Sequence, residues 1–351
     1  MPYAKSQKII AMKNPITSNY FKLLPITSNY FQLLPTLFLI IFFACKEEEP
    51  IIESKQQTEV SKATDVENST GRTKASGQYI MTDWSGQVEV LIKFEDKGPA
   101  QSPFGSVLIP SEYVLVGGGA ETFAVEAGAF LTESRPDWDN NTWYAKSKDH
   151  YYADVHQLRV YAIGLKIQGV TPATLRSVMK ISEYTLPGKQ GHPATSAWMQ
   201  SPYILIGGGA RANWSTYGSL LYHSYPSGQG WYVASKDHIY SEPTTITAWA
   251  IGIQDYIPGF GYIDITVNYP LYPTTVSTGW STSYTVGSGV EWVPTCVGAY
   301  ENYSQGGAGR MLTIMKPRTD PYGYTIATSK DHRYTCGGTI TSYVMLIRKR
   351  H

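Results

Sequence analysis

The tetrapeptide Ser-Lys-Asp-His occurs three times, at residues 147–150, 235–238 and 329–332. Upstream of each copy stands an apolar run with glycine. The first two are Val114-Leu115-Val116-Gly117-Gly118-Gly119-Ala120 and Ile204-Leu205-Ile206-Gly207-Gly208-Gly209-Ala210; the third has drifted to Pro294-Thr295-Cys296-Val297-Gly298-Ala299. A stretch from glycine to proline follows, at 128–136, 218–226 and 309–317, and each copy closes on an apolar segment, at 159–167, 247–253 and 341–347. Markers in constant order at near-constant spacing are the signature of internal repeats. The chain from residue 79 onward therefore reads as three homologous repeats, 79–175, 176–258 and 259–351, of about 90 residues each.

The closing segments define the secondary structure. Tyr161, Ile163 and Leu165 alternate with Val160, Ala162 and Gly164, and Trp249, Ile251 and Ile253 alternate with Ala248, Ala250 and Gly252. A period of two with a bulky face and a small face describes a strand buried on both sides. Each unit also opens with a strand, near 88–94, 178–184 and 263–269, which gives five or six strands joined by Pro/Gly turns. Richness in Tyr (27), Gly (32) and Pro (21) favours strands and turns, and no helix is predicted, so parallel βαβ folds are excluded. The expected fold is all-β, built from three antiparallel β repeats. Two packings fit: tandem β-sandwiches near the usual size of about 100 residues, or a pseudo-threefold, β-prism-like closure of the units. Three blades are too few for a propeller. Unit length tips the expectation toward tandem sandwiches.

The first acidic residue is Glu47; before it lie Lys5, Lys8, Lys13 and Lys22 and the apolar stretch 37–44. A basic segment, an apolar segment and a small residue together describe a secretory signal, here 1–44, cut before Cys45. Phe42-Phe43-Ala44-Cys45 resembles a bacterial lipobox, and Lys46-Glu47-Glu48-Glu49 resembles the surface-export tag of Bacteroidota lipoproteins. The resemblance implies acylation of Cys45 and a place on the outer face of the outer membrane. Within the leader, ITSNYFKLLP (16–25) recurs as ITSNYFQLLP (26–35), and Met12 is a second candidate start. Residues 45–78 are polar and read as a disordered tether. No further apolar run is long enough for a transmembrane helix. With 29 Lys+Arg against 28 Asp+Glu, the chain lacks the basic excess of a nucleic-acid binder.

The site residues carry less. In Ser-Lys-Asp-His, Asp149–His150, Asp237–His238 and Asp331–His332 suggest acid/base pairs, but no nucleophile accompanies them, and strand neighbours point to opposite faces. A local turn, with Ser and Asp bonding nearby backbone, is the preferred reading. A closed arrangement would let His150, His238 and His332 converge as a three-histidine metal site, although no metal or cofactor is expected. The triple glycines lack a phosphate-loop pattern and mark close backbone approach. Cys296 and Cys336, an even pair outside the cytoplasm, are expected to form a disulfide that offsets the drifted third copy.

Trp143-Tyr144 and Trp231-Tyr232 precede the motif, with Tyr324 near the third copy. Adjacent rings on a strand place one inward and one outward, and outward rings beside Asp and His suit sugar recognition. The unit's length, central Trp and closing apolar strand resemble H-type lectin domains, whose six-stranded sandwich binds sugars. None of that family's sugar-contacting residues maps onto positions here. The expectation is a membrane-attached surface protein acting as a binding or adhesion module, not an enzyme. Its partner would be a glycan or a surface protein; the alternative is a structural component of an outer-membrane complex.

Overall fold

Each repeat has six principal strands, and their order is the same in all three. In the computed structural model the described residues are 60–67, 73–123, 128–270, 274–276, 281–285, 291–303, 309–318, 325–331 and 336–351. Two strands come first, β1 (Val60–Glu67) and β2 (Thr73–Thr82). The first repeat contributes β3 (Val88–Ala100), β4 (Phe104–Leu108), β5 (Val114–Phe123), β6 (Phe130–Asp137), β7 (Thr142–Lys148) and β8 (His156–Ile167). After a single helical turn, α1 (Pro172–Ser177), come β9 (Met179–Thr185), β10 (Ala194–Trp198), β11 (Ile204–Ala212), β12 (Leu220–Ser227), β13 (Gly230–Lys236) and β14 (Ile246–Ile253). The third repeat follows β15 (Tyr256–Ile257). It comprises β16 (Gly261–Asn268), β17 (Thr274–Val276), β18 (Ser281–Thr285), β19 (Val293–Tyr303), β20 (Met311–Pro317), β21 (Thr325–Lys330) and β22 (Gly338–Lys349).

The repeats do not fold as tandem sandwiches. They interleave to form three sheets, and the centre of each sheet is built from three strands of one repeat and three of another. Sheet 1 runs β1-β2-β3-β8-β5-β20-β21-β18, and sheet 2 runs β4-β7-β6-β11-β14-β9. Sheet 3 runs β10-β13-β12-β19-β22-β16-β15, with β17 also on β22. The exchange is cyclic, first repeat to second, second to third, third back to first, so the closed packing is the one adopted. The seams are equivalent: Ala210 pairs Ser134, Ala299 pairs Ser224 and Ala120 pairs Met315. Pattern reading missed this because a period of two reports which faces are buried, not which repeat supplies the neighbouring strand.

The glycine runs are the means of closure. Strands β5, β11 and β19 meet around the axis, each with a bulge at the same place, between Leu115 and Gly117, Leu205 and Gly207, Pro294 and Cys296. A Cβ added to Gly117 would lie 2.7 Å from the Cys296 Cβ and closer still to the Thr295 carbonyl. One added to Gly207 would collide with the Val116 carbonyl. The predicted close backbone approach is thus between repeats. One core cluster runs through all three, from Val88 to Ile347. The closing strands β8 and β14 are buried on both faces, as their alternation requires.

Strand also extends further toward the N-terminus than expected. β2 pairs with β3, and β1 with β2, within the segment 45–78 read as a tether. β3 would otherwise leave an open edge, and Tyr79, Ile80 and Met81 of β2 pack on the core. Cys45 lies outside the described residues.

Cys296 and Cys336 are both buried and are not joined to each other as a disulfide. Cys296 belongs to β19 at the axis, where its thiol contacts the Gly208 carbonyl at 3.4 Å. Cys336 sits beside the buried Arg310, whose guanidinium donates to the Cys336 carbonyl at 3.0 Å. Counting cysteines predicts a pair; the fold gives the two different surroundings, Gly208 for Cys296 and Arg310 for Cys336.

Candidate functional site

Ser-Lys-Asp-His is a clasp between repeats. The serines end β7, β13 and β21 in the interior. The lysines that follow are also buried, and each reaches into the next repeat. Lys148 Nζ donates to the carbonyls of Thr216 (3.1 Å) and Tyr217 (2.6 Å). Lys236 Nζ lies 4.0 Å from the Tyr303 ring centre, and Lys330 Nζ 5.5 Å from that of Phe130. Burial pushes Lys236 and Lys330 down to about 8. Asp149 and Asp237 bond local backbone as expected: Asp149 Oδ2 accepts from the Asp154 N–H at 3.2 Å, and Asp237 Oδ2 from the Glu242 N–H at 3.3 Å.

His150 and His238 lie together. His150 Nδ1 lies 2.8 Å from the Tyr217 carbonyl, and its other ring nitrogen faces the His238 carbonyl. The rings of His150 and His238 are 5.5 Å apart, and His238 Nε2 lies 3.1 Å from Asp331 Oδ1. All three groups are buried, and burial lowers the His150 pKa. His332 and Tyr324 lie outside the described residues; among the described residues no group of three or more His, Cys, Asp or Glu is placed to hold a metal. Beside His150 a depression of about 240 Å³ is rimmed by Tyr151, Tyr152, Tyr217 and Tyr240. Tyr151 and Ile239, at the same place in their repeats, have φ of 65° and 66°. That conformation is costly for a β-branched residue, so the clasp holds both against their preference.

Trp143 and Trp231, expected to contact ligand, are wholly buried. Their indole N–H groups donate to Ser134 and Ser224 at 3.0 Å, and their rings lie where a side chain on Gly118 or Gly208 would project. In the third repeat both members of the pair change, to Val297 and Thr325, as the registers of β19 and β21 show. A larger residue replaces the glycine where a smaller one replaces the tryptophan. This exchange accounts for the missing ring without a disulfide.

Tyr144 and Tyr232 do point outward, and each begins a row of side chains running across its sheet. On sheet 2 the row is Tyr144, Arg135, Gly209, Trp249 and Glu183. On sheet 3 it is Tyr232, Tyr225, Gly298, Tyr343 and Tyr269, and on sheet 1 Ile326, Lys316, Gly119, Tyr161 and Phe94. The central glycine is the third of each run. A Cβ on Gly209 would lie 2.7 Å from the Arg135 Cα, and one on Gly298 2.9 Å from the Tyr225 Cα, so only glycine lets the neighbouring repeat cross there.

Sheet 2 carries a groove of about 340 Å³ over its row, lined by Arg135, Asp137, Trp138, Asp139, Glu183, Arg211 and Trp249, among others. Trp249 is the floor, with Arg135 5.3 Å and Arg211 5.6 Å from its ring and its N–H donating to Glu183 at 2.9 Å. Glu133 and Asn213 pin the two arginines at 2.6 and 2.7 Å. Trp138 forms part of the wall, packs on the core and lies 5.0 Å from the Arg176 guanidinium. Sequence reasoning missed this groove because β6 comes from one repeat and β11, β14 and β9 from the next. The usable signal was the outward parity of Tyr144. No protein-family model and no curated protein matches the chain.

Proposed function

We propose that this protein is a lipid-anchored cell-surface binding module that holds carbohydrate in the groove of sheet 2. The groove is the observation that carries the reading. A sugar presents apolar C–H faces and hydroxyls that both donate and accept. The groove offers the indole of Trp138, donors on Arg135 and Arg211, and acceptors on Asp137, Asp139 and Glu183, over a floor of buried Trp249. These side chains are held by their neighbours before any ligand arrives, which limits the entropy lost on binding. Anchoring through Cys45 rests on the lipobox-like segment and the polar residues after it.

A glycan array tests the binding. Signal is expected for the intact protein and strong loss for Trp138→Ala and Asp139→Ala. A blank array with co-purification of an outer-membrane protein would replace this reading with a structural role in a surface complex. Metabolic labelling with a fatty-acid analogue, abolished by Cys45→Ser, tests the anchor.

A further inference from the structure

The outer face of sheet 3 has a character that neither other face shares. The register places Tyr232 opposite Tyr225, and Ser224 opposite Ala299 brings Tyr225 beside Gly298. Gly298 pairs with Tyr343, whose ring is 5.4 Å from Tyr269. Because Gly298 has no side chain, Tyr225 and Tyr343 stack across it, 5.1 Å apart with planes 29° from parallel. Tyr232 lies 5.5 Å from Tyr225 on the other side. A second rank, His223 and Tyr300, stacks alongside at 4.4 Å. At about 4.8 Å per strand, five strand positions make a strip on the order of 19 Å long.

We propose that this strip is a second binding site, for an extended, uncharged polysaccharide laid across the strands. It extends the carbohydrate reading to a different surface and a different class of glycan. Three observations select that occupant. The first is charge: the equivalent rows carry Arg135 and Glu183 on sheet 2 and Lys316, bonded to Glu121 at 2.5 Å, on sheet 1, whereas the row on sheet 3 has none. His223 beneath it stays neutral, burial pushing it down to about 4. The second is the hydroxyls. Tyr225, Tyr232, Tyr343 and Tyr269 make ring contacts but no hydroxyl hydrogen bond among the described residues, leaving each O–H to exchange bonds with a sugar. The third is shape. A row of rings in one line suits a chain of repeating apolar faces, which a compact ligand would not span.

Native gel electrophoresis through hydroxyethylcellulose, galactomannan or xylan, with alginate as the charged comparison, provides the test. The intact protein is expected to be retarded by at least one neutral polymer and not by alginate. Tyr225→Ala and Tyr343→Ala should each weaken retardation about tenfold, Tyr184→Ala, an exposed ring on β9, should leave it unchanged, and Tyr225→Phe should retain the ring contribution. Circular dichroism of each variant establishes folding, and Tyr232→Arg, which keeps bulk but adds charge, gives an independent loss. No retardation by any neutral polymer would overturn the proposal. So would retardation abolished by Trp138→Ala and untouched by the tyrosine changes, which would place the polymer in the groove of sheet 2. A shift in oligomeric state on Tyr225→Ala without effect on retardation would assign the face to a second copy of the chain instead.

Discussion

Gly117→Ala should destabilise the whole molecule although it adds one methyl group. Gly117 needs no unusual backbone conformation, so the effect is steric. The new carbon would sit 2.7 Å from the Cys296 Cβ and 2.8 Å from its Cα, with the Thr295 carbonyl nearer still. Two of those atoms are backbone in β19, which is locked into sheet 3 by β12 and β22. Relief therefore requires strands from the first and third repeats to separate at the axis. Overpacking a well-filled interior costs about 1–3 kcal/mol and more where backbone must move; about 3 kcal/mol is expected here. For a unit of this size that lowers the melting temperature by roughly 5 °C. Urea unfolding followed by tryptophan fluorescence should show one transition shifted to lower urea. Gly105→Ala is the control: the three atoms nearest its new carbon all belong to the Lys97 side chain, which can swing aside without moving backbone. A Gly117→Ala protein within about 0.5 kcal/mol of the parent, or one losing a separate partial transition, would refute an axis shared by three repeats.

The remaining predictions concern thiols and pH. Cys296, pushed up to about 11 by burial, should resist thiol reagents in the folded protein; in unreduced, denatured protein both Cys296 and Cys336 should label, and failure of both would reveal a bond between them. Burial holds His223 neutral down to about pH 4 when folded, while the unfolded chain protonates it near 6.5. Its contribution is thus present above pH 6.5 and lost as pH falls toward 4, by about 3 kcal/mol in all. Glu301, raised to about 7 by burial, runs the other way, its contribution full below 4.5 and lost as pH rises through 7. The stability difference between the parent and His223→Asn isolates the histidine: it should shrink on going from pH 7 to pH 4, and a constant difference would refute the assignment.

Much of the fold was written in local pattern. The three markers fixed the number of repeats, and the alternation of Tyr161-Ala162-Ile163 identified a strand covered on both sides. The glycines announced a close approach. What the pattern could not carry was partnership. β6 shows the same alternation whether its edge meets β5 or β11, so interleaving leaves no trace in the period. Hydropathy assigns Lys148, Lys236 and Lys330 to solvent, yet each is drawn inside because a neighbouring repeat supplies carbonyls or a ring face. Of the candidate rings, parity correctly split Trp143 from Tyr144 and Trp231 from Tyr232 but did not say that the tryptophans were the inward members. The groove at Trp249 was invisible because its walls come from separate repeats.

The cyclic exchange of strands also governs the order in which this chain can become a protein. Lys316 and Glu121, which bond across the seam of sheet 1, are 195 residues apart in sequence. Strands emerging first therefore wait, laterally unmated, for strands emerging almost last, and such distant pairings form slowly. The same dependence forbids piecemeal change: deleting or adding a repeat would strand two half-sheets at once, so the number three is preserved by geometry.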